Sequence, residues 1–545
     1  MFLASSFPNL DTRHQYPLYL CLLAGLLFFP FLGARDFWAP VEPRYGEIIR
    51  VMFSKGEWIV PTINGDLYTD KPILYFWLAL IASKIAGGVS EWTVRLPAAL
   101  GGVGFILATY FIGRDFFTAR VGFIAAVVLA TCMRVIWESR WAHVDMVFCC
   151  FFALSIYFGA RSLLLHKGNP YEILLAYVFM ALATLTKGLI GVVLPGLIFV
   201  ALMLARRDWR MIVDAKLPLG IPIFLLIGAP WFYLVNQATG GKWLSDFIYI
   251  HHLKRYTAGA GHRQPFYYYF TTLPADFLPW TVFAIPALLA CRPYRRAWDE
   301  PVGQFFFVWF LAVFVFFSIS DTKRDLYLLP LLPTLALLVA NYLNALASNA
   351  LPHDALLRWL GMVSFTIVAL SGFALPLTAW IVRPDALQAM LPSSIVLAAG
   401  GICAAVFAWQ RRPLQTCAAV TTLMVVIVIS TSYGILPYLE QFKSDRPLSL
   451  AIKRLVPPTA PLYVYADTMN DFNYYSEREM IPVLTSPAEA EKLRERQEHS
   501  YVLIKDRDLK RLTAIPADWI VASDSRGSRT WYLIGFNRRQ VAKPN

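Results

Sequence analysis

Stretches of roughly twenty apolar residues recur along this chain, and they restrict its fold more than any other feature. They fall near residues 16–34, 94–113, 119–136, 146–165, 171–187, 188–205, 217–236, 276–291, 303–319, 326–346, 357–382, 393–410 and 415–436. No water reaches peptide groups in a bilayer core, so stretches of this length predict membrane-spanning helices. Only 16% of the residues are charged, against about 25% in soluble domains. The run 171–205 is too long for one span and breaks at Lys187-Gly188, which gives about thirteen transmembrane helices. The first stretch has no small-residue cleavage site after it and reads as a retained helix. The expectation is a mostly α polytopic membrane protein.

Ile73–Gly87 is apolar but has fifteen residues and carries Lys84. Its status decides the side of every later loop. If it does not span, Arg114/Arg120, Arg161/Lys167, Arg206/Arg207/Arg210/Lys216, Arg292/Arg295/Arg296 and Arg411/Arg412 all fall in short loops on the N-terminal side. Short basic loops belong in the cytoplasm. Residues 72–88 are therefore expected to lie along the membrane as an interfacial helix. The N-terminus is then cytoplasmic, and loops 35–93 and 237–275 face outward with the C-terminal region. The positive-inside trend accounts for about half of the basic residues behind the net charge of +13.

Composition turns polar after about Pro437. β-like runs follow at Leu462–Tyr465, Tyr501–Ile504, Trp519–Ala522 and Trp531–Phe536, and Ser486–Gln497 reads as a helix with Ser486 at the N-cap and Pro487 at N1. Residues 1–436 are expected to form the membrane domain and 437–545 a small α/β domain. The seven cysteines lie in or beside apolar stretches with no CxxC, and are expected to be buried small apolar side chains.

The polar residues most suited to chemistry gather on the expected outer face. Loop 35–93 contains Phe37–Trp77, dense in both signs of charge among tryptophans, tyrosines and prolines. Lys71, Arg140, Lys254, Arg255, Arg263, Lys323 and Arg324 break the positive-inside trend there. Basic residues in such places suit an anionic ligand, phosphate above all; pairing with acidic residues of the same loops is the structural alternative. Val41–Lys55 reads as a surface helix with Tyr45, Ile48, Ile49, Met52 and Phe53 on one face and Glu47 and Arg50 elsewhere. Glu42 is then either a cap favoured by the helix dipole or a catalytic carboxylate. Asp145 enters an apolar helix with no basic neighbour in sequence, a costly arrangement unless compensated. His251 and His252 with His262, joined by Asp70, are candidate zinc ligands, although adjacent histidines diverge on helix and strand alike. There is no P-loop, GxGxxG or GxSxG, and nothing points to nucleic acid.

Glu42–Tyr45, the series Trp58, Pro61, Asn64-Gly65, Tyr68, Asp70-Lys71-Pro72, Tyr75 and Trp77, the run Arg95–Pro97, Arg140–Asp145 and Lys323–Pro330 together resemble the type C glycosyltransferases. Within them the chain is similar to the 4-amino-4-deoxy-L-arabinose (aminoarabinose) lipid A transferases and their protein mannosyltransferase relatives. The resemblance implies an inverting pentosyltransferase in the bacterial inner membrane, active on its periplasmic face. It implies an undecaprenyl-phosphate-linked donor, a lipid A phosphate acceptor, polymyxin resistance as the consequence, and a monomer among membrane lipids. By the same resemblance Glu42 and Asp145 are the catalytic carboxylates. Lys71, Arg44, Arg255, Lys323 and Arg324 bind the donor phosphate, and Tyr45, Tyr68, Asp70 and Tyr75 line the substrate cavity. The chain departs from many relatives at Val41, where they carry a second acidic residue. A protein or another glycan as acceptor, and a transporter without covalent chemistry, are the alternative readings.

Overall fold

A computed structural model describes residues 14–166, 168–250, 263–290, 301–348, 355–466, 471–495, 499–512, 515–526 and 529–536. The chain divides into two compact units. One, largely helical, holds 1–32, 69–75 and 95–436; the other, of mixed α and β structure, holds 33–68, 76–94 and 437–545. Loop 35–93 thus contributes mainly to the same unit as the C-terminal region.

In the helical unit each predicted apolar stretch contains helix, although 16–34 is helical only over Tyr16–Phe28 and 276–291 is interrupted after Asp276. Among the described residues, eight helices are long and apolar enough to cross a membrane, or up to ten if two sharply bent pairs each count as one span. Ordered along the chain are α1 (Tyr16–Phe28), α2 (Glu42–Lys55), α3 (Leu74–Ala86), α4 (Glu91–Phe116), α5 (Ala119–Ala130), α6 (Met133–Ser139), α7 (Asp145–Ala160), α8 (Pro170–Lys187) and α9 (Ile190–Arg206). The bent pairs are α5 with α6, at 66°, and Tyr268–Asp276 with Thr281–Ala290, at 110°. The split at Lys187-Gly188 is present: Gly188 follows α8 with φ 92°, a conformation that costs glycine nothing.

Small residues let these helices approach closely. A Cβ at Gly101 on α4 would lie 2.7 Å from the Met146 backbone, so α4 seats the first turn of α7 directly. Arg95, fully buried, donates to the Leu32 carbonyl at 2.8 Å and ties α4 to the chain after α1. Leu18, Leu22 and Leu26 on α1 and Ile367, Leu370 and Phe373 on Ala355–Val382 are exposed, as lipid-facing residues would be. Cys132, Cys149 and Cys417 are buried as expected, whereas Cys21 and Cys403 are exposed among these apolar faces, and Cys291 lies outside the described residues.

In the mixed unit a five-stranded sheet has the order β4-β3-β5-β7-β6. Its strands are β3 (Leu462–Tyr465), β4 (Val483–Leu484), β5 (Ser500–Lys505), β6 (Ile520–Arg526) and β7 (Arg529–Phe536). β3 pairs parallel with β4 and β5, while β5, β7 and β6 are antiparallel. β5 (SYVLIK) is central and buried along its length, with Leu503 in one core layer and Val502 and Ile504 in the other. That two-residue period is the pleat of a strand covered on both faces. Helix Pro487–Glu495 starts as predicted: the Glu489 N–H donates to Ser486 Oγ at 3.3 Å. A second hairpin, β1 (Thr62–Ile63) to β2 (Asp66–Leu67), turns on Asn64-Gly65 with φ of 54° and 83°. Two positive φ values in an Asn-Gly pair fit the twist of a two-residue hairpin.

α2 buries Tyr45, Ile48, Ile49 and Met52 as expected. It also buries Glu47, which the wheel placed off the apolar face; Arg50 holds it at 2.7 Å. Burial outweighs that partner and raises the Glu47 carboxyl above its usual range.

Candidate active site

In the helical unit the chemistry-bearing side chains collect where α6 ends, α7 begins and α8 ends. Asp145 occupies the first turn of α7, where the dipole favours a carboxylate, and its side chain is 1% exposed. Lys187, from the last turn of α8, forms an ion pair with one oxygen, and His143 Nδ1 meets the other. The ammonium also lies over the rings of Phe148 and Tyr327, 4.9 and 5.3 Å from their centroids. The compensation that Asp145 needs therefore comes from 42 positions along the chain.

The contacts continue from His143. Its Nδ1 lies 3.9 Å from Glu138, and Glu138 accepts from Arg134 at 3.3 Å. Arg134 also donates to Asp276 Oδ1 from two nitrogens, at 2.9 and 2.6 Å, and pairs with Asp325. One chain of charged groups thus links α6, α7, α8, helix Tyr268–Asp276 and the 3-10 turn Asp325–Leu331. It holds four carboxylates against Lys187, Arg134 and a histidine. Arg134 and Asp276 had no assigned role in the sequence. Their signal was an arginine and an aspartate at the ends of apolar stretches, where an unpartnered charge is expensive.

Nearby in sequence, Lys71 Nζ lies 3.2 Å from Asp70 Oδ1, and both side chains keep some exposure. Lys323 is buried, and its ammonium donates to the carbonyls of Ser320 at 2.5 Å and Gln264 at 3.2 Å. Arg324 offers its carbonyl to the Tyr269 hydroxyl at 3.2 Å. Beside them Arg263, Gln264, Pro265 and Asp321 line an open cavity of about 390 Å³. Arg140 donates to the Leu27 carbonyl and to Ser432 Oγ, both at 2.9 Å, so this cation has protein partners.

In the mixed unit Glu42 is fully buried at the start of α2. Its carboxylate pairs with Arg35 at 2.7 Å and accepts the Trp38 N–H at 3.1 Å. It therefore fastens the segment before the helix to the helix itself. The Arg35 guanidinium stacks 4.5 Å from the Trp38 ring centroid.

Comparison with known proteins now bears on this arrangement. A model of the dolichyl-phosphate-mannose-protein mannosyltransferase family matches residues 70–234. The chain is 26% identical over 474 residues to an undecaprenyl phosphate-alpha-4-amino-4-deoxy-L-arabinose arabinosyl transferase of Shewanella sediminis, covering 83% of each chain. It is 28% identical to an enzyme of the same name from Pseudomonas paraeruginosa, covering 75% of this chain and 73% of that one. The crystal structure of ArnT from Cupriavidus metallidurans bound to undecaprenyl phosphate shares the fold, with a TM-score of 0.75 at 21% identity over 97% and 99% of the two chains. The chain is thus similar, over most of its length, to glycosyltransferases that use lipid-linked sugars.

This similarity gives each predicted site residue a context. Asp145 is gathered with Lys187, His143 and Glu138 in the helical unit, which also contains Asp70, Lys71, Tyr75, Lys323 and Arg324. Glu42, Arg44, Tyr45 and Tyr68 belong to the mixed unit. Arg44 is half-buried on the first turn of α2 and forms no ion pair among the described residues. Tyr45 and Tyr68 are buried with Phe76, the ring centroids 5.1 to 6.4 Å apart, and Tyr75 is fully buried. His251, His252, Arg255 and His262 lie outside the described residues. Among the described residues no three His, Cys, Asp or Glu side chains are grouped to hold a metal.

Proposed function

We propose that this glycosyltransferase moves 4-amino-4-deoxy-L-arabinose from undecaprenyl phosphate to a lipid A phosphate on the periplasmic face of the bacterial inner membrane. The match to the Shewanella sediminis enzyme over 83% of both chains carries this reading. The topology that goes with it has thirteen spans, α3 along the membrane surface, a cytoplasmic N-terminus and a periplasmic C-terminal region.

The chemistry follows from the leaving group. As the polyprenyl phosphate departs, negative charge grows on its oxygens, and fixed cations stabilise that charge. Lys71 and Arg44 are our first assignments, with Arg255 and Arg324 completing the set. Lys323, whose ammonium serves two backbone carbonyls, shapes the 320–325 turn instead. The acceptor phosphate is already anionic and attacks the sugar in one displacement, with inversion. Glu42 and Asp145, each held by a cation, orient Arg35 and Lys187 respectively and remove no proton.

The test is transfer from the lipid-linked amino sugar to lipid A in purified membranes, with lipid A from cells with and without the protein analysed by mass spectrometry. Transfer is expected in the wild type and is lost in Glu42→Ala and Lys71→Ala. Activity that survives both substitutions refutes the assigned site. The family name, with its protein acceptor, supports one second reading: transfer to a protein hydroxyl. A sugar adduct on protein with lipid A unmodified would select it.

A further inference from the structure

The short helix Asp471–Ser476 of the C-terminal region carries two tyrosines whose hydroxyls reach into loop 35–93. Tyr475 is 8% exposed. Its hydroxyl accepts the Phe37 N–H at 2.8 Å and donates to Glu91 Oε1 at 2.8 Å. One phenol therefore fastens both ends of the loop. Tyr474 adds a bond to the Val89 carbonyl at 3.2 Å. The helix is itself anchored, with Phe472 packed on Trp531 of β7 at 4.9 Å.

The bond to Phe37 lies one residue from Glu42's own anchor. The Phe37 ring rests on α2, where a Cβ at Gly46 would come within 2.5 Å of it. The next N–H, that of Trp38, is the one Glu42 accepts, and Arg35 of the same segment pairs with Glu42. Sheet core, Asp471–Ser476, Tyr475 hydroxyl, the 35–38 segment and Glu42 thus form a continuous chain of contacts within one unit. Hydrogen bonds to charged groups are stronger than neutral ones, and a phenol shared between an N–H and a carboxylate allows little play.

We propose that Tyr475 is a positioning residue for Glu42, so that the C-terminal region acts in transfer by fixing the geometry of the first loop. The proposal rests on the assignment of Glu42 to the active site. Tyr475→Phe removes one oxygen and keeps the ring packing on Phe37 and Tyr474. In the purified full-length protein, supplied with lipid-linked aminoarabinose and lipid A, we expect kcat to fall about tenfold. KM for the donor should stay within twofold. In a Glu42→Gln background the same substitution should add less than a twofold loss, because the group being positioned is already altered. A kcat within twofold of an active wild type, or a full tenfold additional loss in Glu42→Gln, overturns the positioning role and leaves the proposed function standing. Hydrogen exchange supplies a readout independent of activity: peptides covering 36–42 should exchange at least tenfold faster in Tyr475→Phe, and unchanged exchange overturns the proposal. If Tyr475→Phe fails to accumulate, Glu91→Gln is measured in its place, with a threefold loss of kcat expected and no loss refuting the link. A wild type that transfers no sugar to lipid A defeats the proposed function alone, and exchange still judges Tyr475.

Discussion

Lys187→Met is the substitution with the most closely determined consequence. It keeps most of the side-chain volume and removes the ammonium that faces Asp145, which is 1% exposed in the first turn of α7. Removing one member of a buried ion pair costs about 3–5 kcal/mol, most of it the penalty of a charge left without its partner. Here His143 also meets Asp145, so the carboxylate keeps one polar partner. The expected cost is therefore at the low end, about 3 kcal/mol. Asp145→Asn together with Lys187→Met removes both charges, and replacing a buried pair by neutral groups is often near neutral. The double variant should recover about 2 of those 3 kcal/mol. The assay is thermal unfolding of the detergent-solubilised protein at one scan rate, since membrane proteins of this size often unfold irreversibly. Transfer activity should be lost in the single and the double variant alike, because stability returns and the cation does not. A single variant as stable as wild type, or a double variant no better than the single, refutes the account of the pair.

Three further outcomes are expected. Arg35→Ala removes the ion pair to fully buried Glu42 and should lower transfer at least tenfold, with Arg35→Lys recovering part of it; initial rates at saturating donor decide this. The Glu440 carboxyl is pushed up to about 7 by burial and then by the charge of Asp36, whose N–H it accepts at 2.7 Å. Its folded form therefore binds a proton that the unfolded chain, with a carboxyl near 4.5, has lost. Stability should fall as pH rises from about 4.5 through 7, and Glu440→Gln should flatten that slope in thermal melts. Asn64→Ala should destabilise the protein by about 2 kcal/mol, since alanine tolerates φ > 0 poorly and buried hydrogen bonds are lost. Asn64 has φ 54° and exchanges two bonds with Ile481, at 3.1 and 2.6 Å. Chemical denaturation of the Asn64→Gly variant separates the two terms.

Much of the architecture was legible because its cause is local and periodic. Apolar length marked helices, of which eight to ten among the described residues are long and apolar enough to cross a membrane; Asn64-Gly65 marks its own turn, and Ser486-Pro487 starts its helix by the ordinary capping chemistry. The break after Lys187 was readable because glycine there takes a φ that other residues avoid. What could not be read is pairing at long range. Arg134 finds Asp276 and Asp325 at separations of 142 and 191 residues, and Lys187 finds Asp145 at 42. Nothing local announces such partners. The helical wheel misplaced Glu47 for a different, local reason: it counts apolar faces and does not register that Arg50, three residues on, makes a buried carboxylate tolerable. Strand β4, two residues long, has no period to detect.

The engagement of both carboxylates bears on the acceptor. A carboxylate in an ion pair is a poor general base, since taking up a proton would forfeit the pair that holds it. Glu42 is committed to Arg35 and the Trp38 N–H, and Asp145 to Lys187 and His143. A hydroxyl acceptor needs a base at the moment of attack; a phosphate monoester, with its second pKa near 6, is largely ionised at neutral pH. Under the proposed assignment of these two carboxylates, a phosphate acceptor is expected rather than a serine or threonine hydroxyl. Transfer to lipid A should rise with pH through about 6, following the second ionisation of the acceptor phosphate, and stay level to about 8. Asp145→Asn should lower the level of that profile and leave its shape unchanged, as loss of positioning does and loss of a titrating base does not. Efficient transfer to a hydroxyl-bearing peptide, with a profile whose acidic limb disappears in Asp145→Asn, would show that Asp145 gives up its ion pair to act as a base.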